Sequence, residues 1–146
     1  MQKYLEQISG VKLRLQYDKV PPQPNEILVG NCNRKASKSL KNQATNLGTD
    51  GFQIKTIDGK LVFIGGSESG VEYAVYSYLE KHHNCRYFNN SEVVIPKKRE
   101  VALENIDLKE TPAFEFRDNF YKPTLGAFTH WHKLDHVISR KEWSDY

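Results

Sequence analysis

The sequence predicts an α/β fold in which helices pack on a single β-sheet. Three observations support this class: short apolar runs typical of strands recur along the chain, amphipathic helical patterns separate them, and a tight-turn dipeptide joins two of the runs. The chain has 146 residues, 38% of them hydrophobic and 27% charged, which is enough for one modest domain with its own core. Strands before, between and after helices favour one layer of sheet covered by helices.

The N-terminal residues predict a short helix followed by a strand. Tyr4, Leu5 and Ile8 form an apolar stripe, and Gly10 follows at the position where helices commonly end in a left-handed conformation. No N-cap residue precedes the stripe, so we expect the helix to begin upstream and the chain to be part of a longer protein. Residues 11–17 alternate apolar and polar side chains, which is the period of a half-buried strand.

The central part of the chain predicts the rest of the sheet. Residues 26–30, EILVG, place three apolar residues in succession, which favours a strand covered on both faces. The polar residues 34–45 have a weak helical pattern. Two further apolar runs flank Asp58 and Gly59, a dipeptide that supplies the positive φ angles of a hairpin turn. We therefore expect a β-hairpin around these two residues.

The clearest helix follows this hairpin. Ser69 and Glu72 have the spacing of a capping box, which predicts the start of the helix. The helix is expected to end at His82 and His83, where positive charge is favourable. Between residues 92 and 110 the sequence predicts two more short extended segments. The apolar face of the helix carries Val71, Ala74, Val75, Tyr78 and Leu79.

The glycine-rich turn before this helix has some features of a phosphate-binding loop, but its details favour a structural turn. A phosphate-binding loop needs a lysine followed by serine or threonine after its last glycine, and Gly70 is followed by valine. The dinucleotide pattern needs glycine where Ser67 stands, and two glutamates at the helix start would repel phosphate. Gly65, Gly66 and Gly70 instead allow the helix to begin close to the sheet. We therefore expect no cofactor at this turn.

The sequence also argues against a metal site and a disulfide framework. His130, His132 and His136 lie near one another, but their spacing does not place all three on one helix face. We interpret them as solvent-exposed or helix-end histidines. Cys32 and Cys85 each stand beside an apolar stretch and match no metal-binding spacing, which favours two buried free thiols over a bridge between them.

The sequence changes character after residue 110. We expect residues 1–110 to form the α/β domain, and residues 111–146 to contain a linker with the first strand and helix of a second, truncated domain. The strand is predicted within residues 111–121. The helix is predicted within residues 126–143, where apolar residues recur at rough helical spacing.

Several stretches of the sequence together resemble a known family. Residues 47–88, LGTDGFQIKTIDGKLVFIGGSESGVEYAVYSYLEKHHNCRYF, are followed by IPKK and by TPAFEFRDNF. These stretches resemble the N-terminal domain of alpha-glucuronidase-like glycoside hydrolases, which belongs to the broader group with a hexosaminidase-type N-terminal domain. The likeness extends from about Leu47 to Phe120, and QKYLEQISG and EILVGN agree with it more loosely upstream.

This resemblance implies an accessory α/β domain that precedes a TIM-barrel catalytic domain for hydrolysis of glycosidic bonds in plant-type polysaccharides. FEFRDNF would then be the first barrel strand. Arg117 matches the position of an arginine that binds sugar hydroxyls in the hexosaminidase relatives, although residues 118–120 depart from the pattern there. The catalytic acid and base would lie on later strands, so no catalytic residue is assigned to this chain and the chain alone is expected to be inactive. Polymeric substrates imply a secreted or periplasmic parent protein.

Three functions compete at this point. The first is a non-catalytic domain that packs against and supports the catalytic barrel of the same parent protein, with an exposed apolar patch through which the isolated chain self-associates. The second is a free-standing carbohydrate-binding module that uses exposed Tyr121, Phe128 and Trp131, and the third is an enzyme. We favour the first. Most aromatic residues on or near the long helix are expected in the core rather than on sugars: Tyr73, Tyr76, Tyr78, Tyr87 and Phe88.

Charge and hydropathy argue against two classes of partner. The formal net charge is +3, and the one basic run, at residues 97–99, is too short for a nucleic-acid footprint. No apolar stretch approaches the roughly 18 residues that a membrane helix needs. We expect neither a nucleic acid nor a membrane as partner.

Overall fold

The computed structural model describes residues 1–114, 116–117 and 126–134. These residues form a mixed α/β domain, which confirms the predicted fold class. In chain order the helices and strands are α1 (Gln2–Ser9), β1 (Ile27–Val29), α2 (Lys35–Gln43), β2 (Phe52–Ile57), β3 (Lys60–Gly65), α3 (Glu68–His83), β4 (Arg86–Asn89), β5 (Glu92–Val94), β6 (Asp107–Glu110) and α4 (Ala127–Trp131). Across these described residues, each helix is too short or too polar to cross a bilayer.

The main sheet has the strand order β1-β3-β2-β6. β1 runs parallel to β3, whereas β2 runs antiparallel to both β3 and β6. Asp58 and Gly59 join β2 to β3 with φ angles of 50° and 72°, so the predicted hairpin is confirmed. β4 and β5 form a separate two-stranded sheet, which the sequence did not indicate.

β3 lies at the centre of the fold because helices cover both of its faces. Successive side chains of a strand point to opposite sides of the sheet. Leu61 and Phe63 therefore join the larger buried cluster with α1 and α3, whereas Val62 and Ile64 join a smaller cluster with α2. The continuous apolar sequence of β3 is the pattern that a strand covered on both faces requires.

Residues 26–30 contain a strand as predicted, but the prediction that both faces of this strand are covered is wrong. β1 lies at the edge of the main sheet, and its middle residue, Leu28, packs in the cluster formed with α2. Ile27 and Val29 point to the other side of the sheet and are 38% and 47% exposed. Three apolar residues in a row are therefore compatible with an edge strand that buries one side chain.

The prediction of a half-buried strand at residues 11–17 is wrong. The segment has no regular secondary structure and pairs with no strand in the described part of the chain. Leu15 and Tyr17 are 74% and 87% exposed. Alternation alone does not supply the neighbouring strand that would bury one face.

The helical prediction for the N-terminal residues is confirmed by α1. Leu5 and Ile8 of its apolar stripe are buried and Tyr4 is half-buried, and Gly10 ends the helix with a φ angle of 75°.

The glycine turn between β3 and α3 is a place of close backbone packing, as predicted. A Cβ atom on Gly65 would lie 2.3 Å from the backbone nitrogen of Val71. A Cβ atom on Gly66 would lie 1.6 Å from the carbonyl oxygen of Gly48, which belongs to the loop before β2. No side chain fits at either position, because the helix start and this loop both pack directly against the end of β3.

α3 begins earlier than predicted. Its N-cap is Ser67, whose hydroxyl oxygen accepts a hydrogen bond from the backbone N–H of Gly70 at 3.4 Å. Ser69 and Glu72 lie inside the helix, so the predicted capping box is wrong. The helix ends at His83 as predicted. Its predicted apolar face is buried at Ala74, Val75, Tyr78 and Leu79 and half-buried at Val71.

Cys32 and Cys85 are both free thiols. Cys85 is fully buried, and this burial raises the pKa of its thiol. Cys32 is only half-buried, so the expected burial holds for one of the two.

Candidate docking site on helix α3

Residues 126–134 return to α3 and pack along one row of its side chains. The row consists of Glu72, Tyr76 and Glu80, which share a face of the helix because they are four residues apart. Tyr4 of α1 and Tyr87 of β4 extend the same surface. We call these five residues the docking face. We call residues 126–134 the docked segment. Its helix α4 contacts both α3 and β4, so the docked segment joins elements that are far apart in the sequence.

Trp131 is the centre of this contact and is only 1% exposed. Its ring lies 4.9 Å from the ring of Tyr76, 5.4 Å from that of Tyr4 and 5.7 Å from that of Tyr87, measured between centroids. The three pairs are tilted, an arrangement within the favourable range for aromatic rings. A fully buried tryptophan is among the largest apolar contributions that one side chain makes to a fold.

Glu80 satisfies the polar atom of this buried indole. The indole Nε1–H of Trp131 donates to the Oε1 atom of Glu80 at 2.6 Å. The other carboxylate oxygen of Glu80 lies 3.8 Å from the ammonium group of Lys133. The carboxylate therefore binds two side chains of the docked segment, one by a hydrogen bond and one by charge.

Glu72 makes the corresponding contacts at the other end of the row. Its Oε2 atom lies 2.9 Å from Nδ1 of His130, and its Oε1 atom accepts a hydrogen bond from the Tyr76 hydroxyl at 3.3 Å. His132 adds a contact from its Nε2 atom to the carbonyl oxygen of Tyr87 at 2.8 Å. The docked segment is thus held by an aromatic centre with polar contacts around it.

Burial changes the acidity of the tyrosines on this face. Burial raises the pKa of the Tyr76 hydroxyl to about 12, and the nearby charge of Glu72 adds to the effect. Burial also raises the pKa of Tyr4. Both hydroxyls therefore stay protonated at physiological pH, and the Tyr76 hydroxyl remains a hydrogen-bond donor to Glu72.

Arg117, the predicted sugar-binding residue, lies beside the docked segment and contacts the protein through all three nitrogens. Its Nη2 atom is 2.5 Å from the Oδ2 atom of Asp50, its Nη1 donates to the carbonyl oxygen of Phe114 at 2.9 Å, and its Nε donates to that of Lys133 at 2.8 Å. The side chains of the ion pair are 18% and 17% exposed. The prediction that Arg117 binds sugar stays a prediction.

The histidines considered as metal ligands are used for packing and polar contacts. His130 and His132 contact the docking face, and His136 lies outside the described residues. Within residues 1–114, 116–117 and 126–134, no group of three or more histidine, cysteine, aspartate or glutamate side chains is arranged to hold a metal ion.

Several of the aromatic predictions change once the contacts are known. Tyr73, Tyr78 and Tyr87 are buried as predicted, whereas Phe88 is 55% exposed. The hypothesis of a sugar-binding surface needs an exposed Trp131, and this part of it is wrong because the residue is only 1% exposed. Phe128 is half-buried, and Tyr121 lies outside the described residues.

The docking face itself was missed by the sequence analysis. The signal that could have found it is a second stripe on α3, where Tyr76 stands between two glutamates at intervals of four residues. The apolar stripe of this helix accounts for its contact with the sheet. An additional aromatic residue flanked by acidic residues on another face indicates a second neighbour.

Fold and site together define an α/β domain with a small mixed sheet, a structural glycine turn and a surface on α3 that residues 126–134 cover. A family model described as "Glycosyl hydrolase family 67 N-terminus" matches residues 1–78, which is more than half of the 146 residues. The chain therefore belongs to this family, the N-terminal domain of alpha-glucuronidases, and the resemblance is confirmed over residues 1–78. The predicted barrel strand within residues 111–121 lies outside the match and stays a prediction. Neither the search of curated proteins nor the search of solved structures found a match.

Proposed function

We propose that the chain is a non-catalytic N-terminal domain that packs against and supports the catalytic barrel of the same glycoside hydrolase. The observation that carries the proposal is the burial of Trp131. This residue follows the α/β layer in the sequence, and three elements of the layer supply the rings that enclose it. A surface shaped to hold the next segment of the chain is what a supporting domain needs.

Two further aromatic residues favour a contact beyond the docked segment. Phe114 and Phe116 are 72% and 57% exposed, and both lie close to Arg117 in the stretch that resembles the first barrel strand. Neighbouring large apolar side chains at such exposures favour a protein partner over solvent. We assign them to the contact with the rest of the barrel.

The finer parts of the proposal rest on the family match alone. They are a substrate that carries glucuronyl groups, plant-type polysaccharide as its source, and a secreted or periplasmic location for the parent protein. The described residues contribute packing surface to this function, and we assign no catalytic step to them.

The proposal is tested by deleting the domain from the parent enzyme. The parent enzyme and a version that lacks residues 1–110 are purified, and their melting temperatures and activities on an aryl α-glucuronide are compared. We expect the shortened enzyme to aggregate or to melt at a lower temperature, because the surface that contacts the domain is exposed. Its KM should be unchanged wherever activity can still be measured.

Two results would contradict the proposal. A shortened enzyme with the same melting temperature and activity would show that the domain supports nothing. Turnover of the glycoside by the 146-residue chain alone would show that the domain is itself catalytic.

A further inference from the structure

We propose that the glycine turn and the loop before β2 form a platform that presents Asp50 as a second attachment point for the segment after the domain, with Arg117 as the residue it holds. The inference rests on the proposed function and deepens it, because it names the contact by which the domain holds the next segment of the chain. It also gives the glycine turn a role, since its sequence argues against phosphate binding.

The loop before β2 and the glycine turn, which together form this platform, are joined by backbone hydrogen bonds. Gly66 donates its N–H to the carbonyl oxygen of Gly51, and Gly51 donates its own N–H to that of Leu47, both at 2.9 Å. A Cβ atom on Gly51 would lie 2.0 Å from the carbonyl oxygen of Leu47, and one on Gly70 would lie 2.5 Å from that of Gly51. The loop, the end of β3 and the start of α3 are therefore in direct backbone contact, which leaves Asp50 in a fixed position.

Arg117 connects this platform to the docked segment. Besides its ion pair with Asp50, it binds the carbonyl oxygen of Lys133. The side chain of Lys133 in turn lies near Glu80 of the docking face. One arginine thus joins the loop before β2 to the end of the segment that covers α3.

The end of α4 places the carbonyl oxygen of Lys133. Lys133 has a φ angle of 59°, the left-handed conformation in which many helices end. Its N–H donates to the carbonyl oxygen of His130, and the N–H of Leu134 donates to that of Thr129, which closes the last turn of α4. The carbonyl oxygen of Lys133 accepts a hydrogen bond from the Nε–H of Arg117 at 2.8 Å.

The test measures hydrogen exchange at the backbone N–H of Leu134, whose hydrogen bond to the carbonyl oxygen of Thr129 closes the end of α4. A helix of five residues is not stable by itself, so the exchange of this amide reports whether the segment is docked. In the full chain, Asp50→Asn and Arg117→Met are each expected to speed this exchange about tenfold, because each leaves a partly buried charged hydrogen bond incomplete. Asp58→Asn, in the exposed hairpin turn, is the matched control and should leave the exchange unchanged.

The double variant identifies the contact. If both substitutions act by breaking one ion pair, the variant with both should exchange no faster than the faster single variant. An increase in the double variant equal to the product of the two single increases in exchange rate would overturn the proposal, since the two residues would then act independently. The amides of β2 and β3 should keep their protection throughout, and their loss in Asp50→Asn would mean that Asp50 supports the sheet instead.

This experiment separates the attachment point from the proposed function. Trp131→Ala should speed the exchange of the Leu134 amide whether or not Asp50 helps to hold the segment. Faster exchange in Trp131→Ala with unchanged exchange in Asp50→Asn would overturn the attachment point and leave the docking face intact. Unchanged exchange in both variants would count against both.

Discussion

Residues 126–134 and residues 11–17 both place aromatic and apolar side chains outside the main sheet, yet their exposures are opposite. Trp131 is 1% exposed, whereas Tyr17 is 87% exposed. The local sequence predicted residues 11–17 to be half-buried, whereas an exposed Trp131 was required only by the sugar-binding hypothesis that we did not favour. The difference is the partner: the first segment meets rings and carboxylates from α1, α3 and β4, and the second meets no strand in the described structure. Burial here is decided by residues far away in the sequence.

The largest expected effect separates the two segments directly. Trp131→Ala should lower the free energy of unfolding by about 4 kcal/mol, because it removes a buried aromatic side chain and leaves a cavity among three tyrosines. Tyr17→Ala should change it by less than about 0.5 kcal/mol, as is usual for exposed positions. Urea unfolding of both variants, followed by circular dichroism, measures the difference. Equal losses in the two variants would abolish the contrast between the segments.

The second prediction concerns the polar contacts of the docked segment. Glu80→Ala should cost about 2 kcal/mol, because the buried indole N–H of Trp131 loses its hydrogen-bond acceptor. Glu92→Ala, at an exposed position of β5, is the matched control and should change stability by less than about 0.5 kcal/mol. The same urea titration measures both. A loss from Glu80→Ala no greater than that of the control would mean that water replaces the carboxylate and that the indole is accessible in solution.

The features that the sequence predicted correctly are local ones. The Asp58-Gly59 hairpin, the left-handed end of α1 at Gly10 and the apolar face of α3 each depend on a few neighbouring residues whose backbone or spacing permits little else. The glycine turn was also predicted as structural, because the residues around it lack the chemistry of a phosphate site. Each of these features follows from the properties of neighbouring residues, so a short window of sequence is enough to predict it.

The features that it missed depend on contacts between distant residues. β1 and residues 11–17 have strand-like patterns, but their burial depends on which element lies beside them. The contact of α4 with the docking face brings together α1, α3, β4 and α4, and no short window of sequence contains all four. The start of α3 was misplaced for a smaller reason, since Ser67 and Ser69 are both suitable cap residues and the packing of the glycines selects the first.

The third prediction asks whether the core under α3 responds to pH independently of the docked segment. His83 is 4% exposed, and neither ring nitrogen has a hydrogen-bond partner in the described structure. Burial lowers the pKa of its imidazole below the ordinary value of 6.5, and the charge of Lys98 lowers it further. The unfolded chain therefore binds a proton more readily, so this contribution to stability is present above pH 6.5 and is lost as the pH falls through the pKa of the folded state.

His83→Phe should remove that dependence. The wild-type protein is expected to lose stability as the pH falls below 6.5, and the variant should lose less over the same range. Urea titrations at a series of pH values make the measurement, and Trp131→Ala should retain the wild-type slope. A slope unchanged in His83→Phe would mean that other groups cause it.

The smallest effect is expected in residues 11–17, where it tests the other half of the comparison. Replacing Leu15 and Tyr17 together by serine should change the free energy of unfolding by less than about 0.5 kcal/mol, because both side chains already lie in solvent. It should also reduce any self-association seen by sedimentation, since exposed apolar side chains favour contacts between molecules. A loss above about 1 kcal/mol would mean that the segment buries these side chains in solution, and the two segments would then differ in their partners but no longer in their burial.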